Sequence, residues 1–256
     1  MIEKWSATIP KLTGREPRTV YVYVPDAAKD DPEARYPVLY MFDGHNVFFD
    51  EDATYGKSWG MKEFMEQTGT PLIIVAVDCN HHPNNGRLSE YSPYTFKTPE
   101  LGHIRGRGRT TMNWMVNTFK PFVDHYFPTI PDRNHTFIAG SSMGGLMSLY
   151  AVLAYNRTFS RAAALSPSLW FAPQQLERML SRARIGRDTV VYMDYGSNEF
   201  SRHENMAQQF GLTAARLMEM GILLDCRIVP GGEHCEASWE QQIPFFMSTL
   251  LYGVDI

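Results

Sequence analysis

The stretch His135–Ala154, HTFIAGSSMGGLMSLYAVLA, places a short apolar run directly before a helix-forming run. Between the two runs stand Gly-Ser-Ser-Met-Gly-Gly, a mostly small and flexible set that weakens both a strand and a helix. The segment 140–144 fits the pattern G-x-S-x-G, in which a serine occupies a sharp, strained turn from strand to helix. Ser142 is therefore a candidate nucleophile.

A structural role for Ser142 is the alternative, because serine is also a common residue before the first turn of a helix. The context favours catalysis. A buried strand is predicted directly before the turn and a helix directly after it, and the helix N-terminus contributes a positive potential that stabilises a developing oxyanion.

The composition is that of a packed globular protein, with 256 residues, 44% hydrophobic residues and a net charge of -4. This charge gives no electrostatic reason to expect nucleic acid or a membrane as a partner, and no apolar run approaches a membrane span. Three scattered cysteines and a polar start, MIEKWSATIP, predict reduced thiols and a cytoplasmic location. The expected partner is a small molecule.

Strand-like and helix-like runs alternate along the chain, which predicts an α/β fold with a mostly parallel central sheet, an antiparallel N-terminal edge and helices on both faces. We expect one domain over 1–256, with a hairpin between the first two strands. A polar segment, 80–109, lacks periodicity and is predicted to be a functional loop or lid. The predicted strands are 19–24, 37–42, 71–77, 136–139, 162–165, 189–193 and 223–229, and the predicted helices are 58–67, 111–126, 143–155, 174–182, 203–220 and 237–251.

A serine nucleophile needs a histidine base and an acid that orients the base, and in proteins with this serine turn the acid precedes the histidine. His234 lies between the last strand and the last helix and is favoured over His203. Glu199, in the loop of YGSNEF, is the first candidate for the acid. Asp194, at the end of the preceding strand, remains a competitor.

Two backbone N–H groups should face the oxyanion. Met143 follows the nucleophile, and His45 lies in the loop after an early strand. Gly44 would let that loop approach the substrate closely, although a simple Asp-Gly turn is the alternative. Trp170 and Phe171 follow another strand, where a wall of the substrate pocket is expected.

Six stretches of the chain carry a family resemblance: YPVLYMFDGHNVF, VDCNHHPNNGRLSEYSP, FKPFVDHYFPTIPDRNHTFIAGSSMGGLMSLY, AALSPSLWF, YGSNE and GGEHCEASW. Together they resemble the Putative esterase family of α/β-hydrolases, which includes enterochelin esterases, feruloyl esterases, S-formylglutathione hydrolases and mycolyltransferases. The resemblance covers roughly residues 18–250. It implies a triad of Ser142, Glu199 and His234, with oxyanion donors at His45 and Met143.

The same resemblance implies further binding candidates. Asp43 stands where some relatives have an acidic residue that contacts substrate hydroxyls. In RLSEYSP, Arg87, Glu90 and Tyr91 could line or brace the site. Glu199 is a mild departure, because relatives often have aspartate at this position.

A metal site would need several converging donors, and His81 and His82 are the obvious pair in this chain. Side chains adjacent on an extended loop diverge, and the sequence shows no third ligand nearby. No metal and no other cofactor is therefore expected.

The resulting hypothesis is a serine carboxylic-ester hydrolase that acts through an acyl-enzyme on a small-molecule, sugar or siderophore ester. An acyltransferase with the same triad is the first alternative. A non-catalytic binding domain on the same fold is the second.

Overall fold

The computed structural model describes residues 1–99, 101–170, 172–201, 203 and 205–255. The ten strands among these residues are β1 (Ile2–Thr8), β2 (Pro17–Tyr23), β3 (Val38–Phe42), β4 (Ile73–Val77), β5 (Phe96–Thr98), β6 (Gly102–Ile104), β7 (Thr136–Ser141), β8 (Arg161–Leu165), β9 (Val190–Gly196) and β10 (Leu223–Val229). Eight of them form one sheet in the order β1-β2-β4-β3-β7-β8-β9-β10. The strands β1 and β2 are antiparallel, as are β2 and β4, and all other neighbours in this sheet are parallel.

Helices cover both faces of the sheet, which confirms the predicted α/β class. The helices are α1 (Pro10–Thr13), α2 (Met61–Thr68), α3 (Gly86–Glu90), α4 (Gly108–Trp114), α5 (Lys120–Tyr126), α6 (Met143–Ala154), α7 (Pro173–Arg182), α8 (Met206–Glu219), α9 (Glu236–Glu240) and α10 (Ile243–Leu251). On one face, β3 contributes Val38 and Tyr40 to a core shared with α4 to α8, and on the other it contributes Leu39 and Met41 to a core shared with α2, α9 and α10. This alternation is the period of two that a strand buried on both faces requires.

The predicted hairpin between the first two strand-like runs is wrong. The strand β2 pairs with β1 and β4, while β3 lies between β4 and β7 and is parallel to both. The sequence prediction missed β1, because this edge strand is half exposed and its apolar residues are sparse. The antiparallel N-terminal edge itself is confirmed.

Regular elements occur within the polar segment 80–109, which sequence patterns described as a loop. It contains α3, the two-stranded sheet of β5 and β6, and the start of α4. Across the described part of the chain, every helix falls short of the length and apolarity that a membrane span needs.

The parallel strands β3, β4, β7, β9 and β10 all end at the same edge of the sheet. The connections that follow them carry Asp43, Asp78, Ser142, Glu199 and His234. Residues far apart in the chain therefore meet at one edge, where α/β sheets bind their ligands.

Candidate active site

Ser142 lies in the turn between β7 and α6, with φ 57° and ψ -118°. This backbone conformation is costly for a residue with a side chain, and such strain is typical of functional turns. Two backbone hydrogen bonds stabilise the turn: Ser142 N–H donates to the Leu165 carbonyl at 2.9 Å, and its carbonyl accepts from Ser168 N–H at 3.0 Å. The structure therefore places Ser142 at a strained strand-to-helix turn, as G-x-S-x-G predicts.

The glycines around this turn are required by close packing. A Cβ on Gly140 would lie 2.8 Å from the backbone of Gly144, and one on Gly145 would lie 2.9 Å from the Leu165 carbonyl oxygen. Real Cβ atoms do not approach backbone atoms so closely. The small residues allow α6 to cross β7 and β8 tightly enough to form the turn.

His234 lies between β10 and α9, and its Nδ1 is 2.6 Å from Glu199 Oε2. The other oxygen of this buried carboxylate, Oε1, accepts hydrogen bonds from Ser166 Oγ at 2.7 Å and from Gly196 N–H at 3.0 Å. Burial raises the pKa of Glu199, but the hydrogen bonds from His234 and Ser166 outweigh burial and lower that pKa below its ordinary value. A carboxylate kept ionised in this way can fix the orientation of an imidazole.

Asp194, the competing acid, is buried in a different arrangement. Its Oδ1 accepts from Ser166 N–H at 3.0 Å, and its Oδ2 accepts from the Tyr192 hydroxyl at 2.8 Å. Burial raises the pKa of Asp194 to about 7. The side chain that contacts His234 is therefore Glu199, and Asp194 contacts Ser166, which in turn donates to Glu199.

Ser142 and His234 line the same open cavity of about 570 Å³. The hydrogen bond found for Ser142 Oγ among the described residues is with Ser168 Oγ, at 3.3 Å. The ring of Trp239 packs edge-on against His234, with 5.1 Å between the ring centroids, and its indole N–H donates to Ser166 Oγ at 3.0 Å. A nucleophile candidate and an oriented imidazole thus converge at one cavity, where Trp239 restricts the ring.

The two predicted oxyanion donors occupy helix starts. Met143 is the first residue of α6, and His45 lies in the first turn of the 3₁₀ helix Gly44–Asn46. The N–H groups of a first turn have no acceptor within their own helix, so both are available to a ligand. The residue before this 3₁₀ helix, Asp43, has a left-handed backbone with φ 56°, and its N–H donates to the Tyr91 hydroxyl at 3.1 Å.

Arg87 anchors the loop that carries His45. Its Nε and Nη2 each donate to a different oxygen of Asp43, both at 2.7 Å. Such a bidentate pair fixes geometry as well as charge. Glu90, buried one turn further along α3, pairs with the buried Arg18 and thus braces this segment from behind.

Two further predicted residues, Gly44 and Trp170, have packing contacts in the structure. A Cβ on Gly44 would lie 2.7 Å from the Ala76 carbonyl oxygen, so this glycine permits close packing on β4. Trp170 stacks on His203, with 3.8 Å between the ring centroids, and is not among the described residues that line the cavity. Phe171 lies outside the described residues.

Sequence reasoning did not assign roles to Ser166, Ser168 and Trp239. Ser166 has φ 42°, an unusual backbone for serine, and it connects Asp194, Glu199 and Trp239 through hydrogen bonds. All three residues lie in AALSPSLWF or GGEHCEASW, stretches that had carried the family resemblance. The family resemblance therefore marked these stretches, but only the folded chain shows which of their atoms form hydrogen bonds.

The sheet, its connections and the helices on both faces form an α/β-hydrolase fold. The family model described as "Putative esterase" matches residues 13–250, so the chain belongs to that family, as its sequence resemblance implied. The family identifies the protein as an esterase.

Individual relatives are distant in sequence. The chain is 24% identical to the ferri-bacillibactin esterase BesA of Bacillus subtilis over 246 residues, which cover 89% of this chain and 81% of that protein. The crystal structure of the BES protein from Bacillus cereus superposes with a TM-score of 0.73 at 20% identity, covering 97% of this chain and 94% of that one. The siderophore hydrolase EstA from Aspergillus nidulans gives a TM-score of 0.72 at 18% identity, with 97% and 95% covered.

Proposed function

We propose that the protein is a serine carboxylic-ester hydrolase that acts through an acyl-enzyme intermediate. The observation that carries this proposal is the strained turn at Ser142, which opens onto the same cavity as the Glu199-paired imidazole of His234. Nucleophile, base and orienting acid are the three parts that serine hydrolysis requires.

In the proposed reaction, Ser142 Oγ attacks the ester carbonyl while His234 Nε2 takes the serine proton. The backbone N–H groups of His45 and Met143 donate hydrogen bonds to the oxyanion of the tetrahedral intermediate and stabilise its negative charge. His234 then gives its proton to the leaving alcohol, and the ester C–O bond breaks. Water, deprotonated by His234, attacks the acyl-enzyme in the second half, which releases the acid and returns the proton to Ser142.

The reaction requires a hydrogen bond from Ser142 Oγ to His234 Nε2, whereas the hydrogen bond found for Ser142 Oγ among the described residues is with Ser168 Oγ. Catalytic hydrogen bonds are often long before substrate binds and shorten in the reacting complex. A rotation of the Ser142 side chain about χ1, away from Ser168, is the movement that the mechanism requires. The backbone of the turn is already set by the contacts of Ser142 with Leu165 and Ser168.

The character of the cavity supports a polar small-molecule ester as the substrate. Most of the side chains that line it are polar and carry hydrogen-bond donors or acceptors. BesA is named a ferri-bacillibactin esterase and EstA a siderophore hydrolase. We propose that this protein likewise acts on a siderophore-type ester. The polar lining residues are His45, Asn46, Thr54, Tyr55, Asn80, His81, His82, Asn85, Arg87, Ser141, Ser142, His234 and Glu236.

The decisive variant is Ser142→Ala, assayed on a panel of acetyl, aromatic acyl, thioester and siderophore esters. We expect hydrolysis to fall by at least about 10⁴-fold, together with loss of labelling by a fluorophosphonate probe. Ser181→Ala, at an exposed serine of α7, is the matched control and should keep both signals.

Undiminished turnover by the Ser142→Ala protein would remove the serine mechanism. Transfer product in excess of free acid, in the presence of added alcohols, would identify an acyltransferase. A well-folded wild-type protein that neither labels nor hydrolyses any ester would favour a binding domain.

A further inference from the structure

Four potential metal ligands converge beside the loop that carries His45. The donor atoms of His45, Asp78, Cys79 and His81 all lie within 4.8 Å of one another. Sequence inspection had paired His81 with its neighbour His82 and found no third donor. The folded chain supplies three donors from other positions, and His82 is not one of them.

The topology of the sheet explains this convergence. The strands β3 and β4 are parallel neighbours, with Phe42 opposite Val77 at their carboxyl ends. His45 follows β3 by three residues, and the other three donors follow β4 within four residues. Both connections therefore leave the sheet side by side.

The two imidazoles face the same carboxylate. His45 Nδ1 is 2.5 Å from Asp78 Oδ1, and His81 Nε2 is 2.9 Å and 3.0 Å from the two oxygens of Asp78. The rings lie nearly edge to face, with 5.0 Å between their centroids. A small movement of the carboxylate would allow two nitrogens and one oxygen to bind one central cation.

One further contact of His45 resembles the outer-shell hydrogen bonds of metal sites. The other ring nitrogen of His45, Nε2, lies 2.9 Å from Thr54 Oγ1. Ligating histidines almost always use their second nitrogen in such a bond, which fixes the ring and leaves the first nitrogen free for the metal. In this geometry Thr54 directs Nδ1 of His45 toward the cluster.

We propose that these four residues form a structural zinc site. Two imidazole nitrogens, a soft thiolate and one carboxylate form a mixed N, S and O donor set that suits the borderline-soft Zn²⁺, whereas Mg²⁺ and Ca²⁺ prefer oxygen ligands alone. Four protein ligands complete a tetrahedral shell without water, which is the arrangement of structural zinc sites. As the Zn–S bond forms, the thiol proton of Cys79 passes to solvent.

The ion would join the His45 loop to the connection after β4. Cys79 is 4% exposed and His45 is 8% exposed, whereas His81 is exposed, so the cluster extends from the core to the surface. The ion would therefore enter the site from the solvent-exposed side, where His81 lies. The site would stabilise the loop that presents the His45 N–H to the cavity, and this role does not depend on the serine mechanism.

Metal titration of the purified full-length protein tests the site directly. After treatment with a chelator, we expect the wild type to bind one equivalent of Co²⁺ with a thiolate-to-cobalt charge-transfer band. Zn²⁺ should displace the Co²⁺, remove the band and raise the melting temperature. His81→Ala, at an exposed position where folding is not at risk, should weaken Zn²⁺ binding by at least about tenfold. Cys79→Ser should remove the charge-transfer band.

Two control variants change a histidine and a cysteine that are not part of the proposed site. His82→Ala removes the adjacent histidine, and Cys226→Ser removes an exposed cysteine on β10. Both should bind Co²⁺ and Zn²⁺ like the wild type. Retention of the thiolate band in Cys79→Ser, equal losses in the controls, or a wild type that binds neither ion would overturn the proposal. Ser142→Ala should bind zinc fully, which separates this test from that of the hydrolase mechanism.

Discussion

The two halves of the candidate active site each contain a buried carboxylate, but the two carboxylates have different partners. In the triad half, which holds the proposed triad of Ser142, Glu199 and His234, the carboxylate of Glu199 contacts an imidazole. In the oxyanion half, which holds Asp43, Arg87 and the proposed oxyanion donor His45, the carboxylate of Asp43 contacts a guanidinium at both oxygens.

The difference lies in what each partner can do. An imidazole exchanges protons near neutral pH, so the Glu199 pair can orient a group that moves a proton. A guanidinium stays protonated, so the Asp43 pair can only fix a position, here that of a left-handed residue at the start of the His45 loop. The same chemical group therefore serves reactivity in one half and geometry in the other.

After the loss expected from Ser142→Ala, the largest expected effect comes from removing the charge of Glu199. We expect Glu199→Gln to lower kcat about 10³- to 10⁴-fold, because the imidazole would lose both its orientation and the stabilisation of its charged form. The matched variant Asp194→Asn should lose less than about tenfold, since Asp194 acts only through Ser166. Ester kinetics on both proteins decide the point, and equal losses would contradict the assignment of Glu199 as the acid.

In the oxyanion half, Arg87→Lys should lower kcat/KM about 10- to 100-fold, because lysine cannot form the bidentate contact with Asp43. If the Arg87–Asp43 pair positions the His45 loop, the loss of kcat/KM should come mainly from a lower kcat. A higher KM at unchanged kcat would instead indicate that Arg87 serves only substrate binding. Arg105→Lys, at an exposed position, is the control and should behave like the wild type.

The packing of the His45 loop on β4 can be tested with two glycines. Gly44→Ala would place a Cβ against backbone atoms of Ala76 and Val77, and we expect it to lower the free energy of unfolding by about 1–3 kcal/mol. Gly211→Ala, in the open interior of α8, should raise that free energy by about 0.5–1 kcal/mol. Urea unfolding measures both. A tolerated Gly44→Ala would show that the loop is not tightly packed on β4.

The smallest expected effect is a pH dependence from Asp194. An unfolded aspartate ionises near pH 4, whereas burial keeps Asp194 protonated until about pH 7. The native state thus holds an extra proton over this range, and the stability that this group contributes falls as pH rises from about 4 to about 7.

Asp194→Asn should remove that fall, because the amide can accept from Ser166 N–H and donate to the Tyr192 oxygen. Relative to the wild type, the variant should gain about 1 kcal/mol between pH 4 and pH 7, since local relaxation reduces the cost of a buried charge. Urea unfolding at several pH values measures the gain. Parallel pH profiles for the two proteins would show that Asp194 does not remain protonated.

Local patterns predicted much of this molecule because the relevant forces act over a few residues. The alternation of apolar strands and helices indicated the α/β sheet, and the small residues around Ser142 indicated the strained turn. The pairing of the strands was harder to predict from the sequence. The hairpin prediction failed because β4, which comes later in the chain, lies between β2 and β3 and pairs with both.

The sequence by itself determined which residue types were available: a serine in G-x-S-x-G, a histidine before the last helix, and acids in the preceding loop. Only the tertiary structure decided that Glu199 contacts His234 while Asp194 contacts Ser166. Only the structure brought His45 within reach of Cys79 and His81. The physical reason is that hydrogen bonding and metal coordination act over a few ångströms, and the order of strands in the sheet sets which side chains come that close.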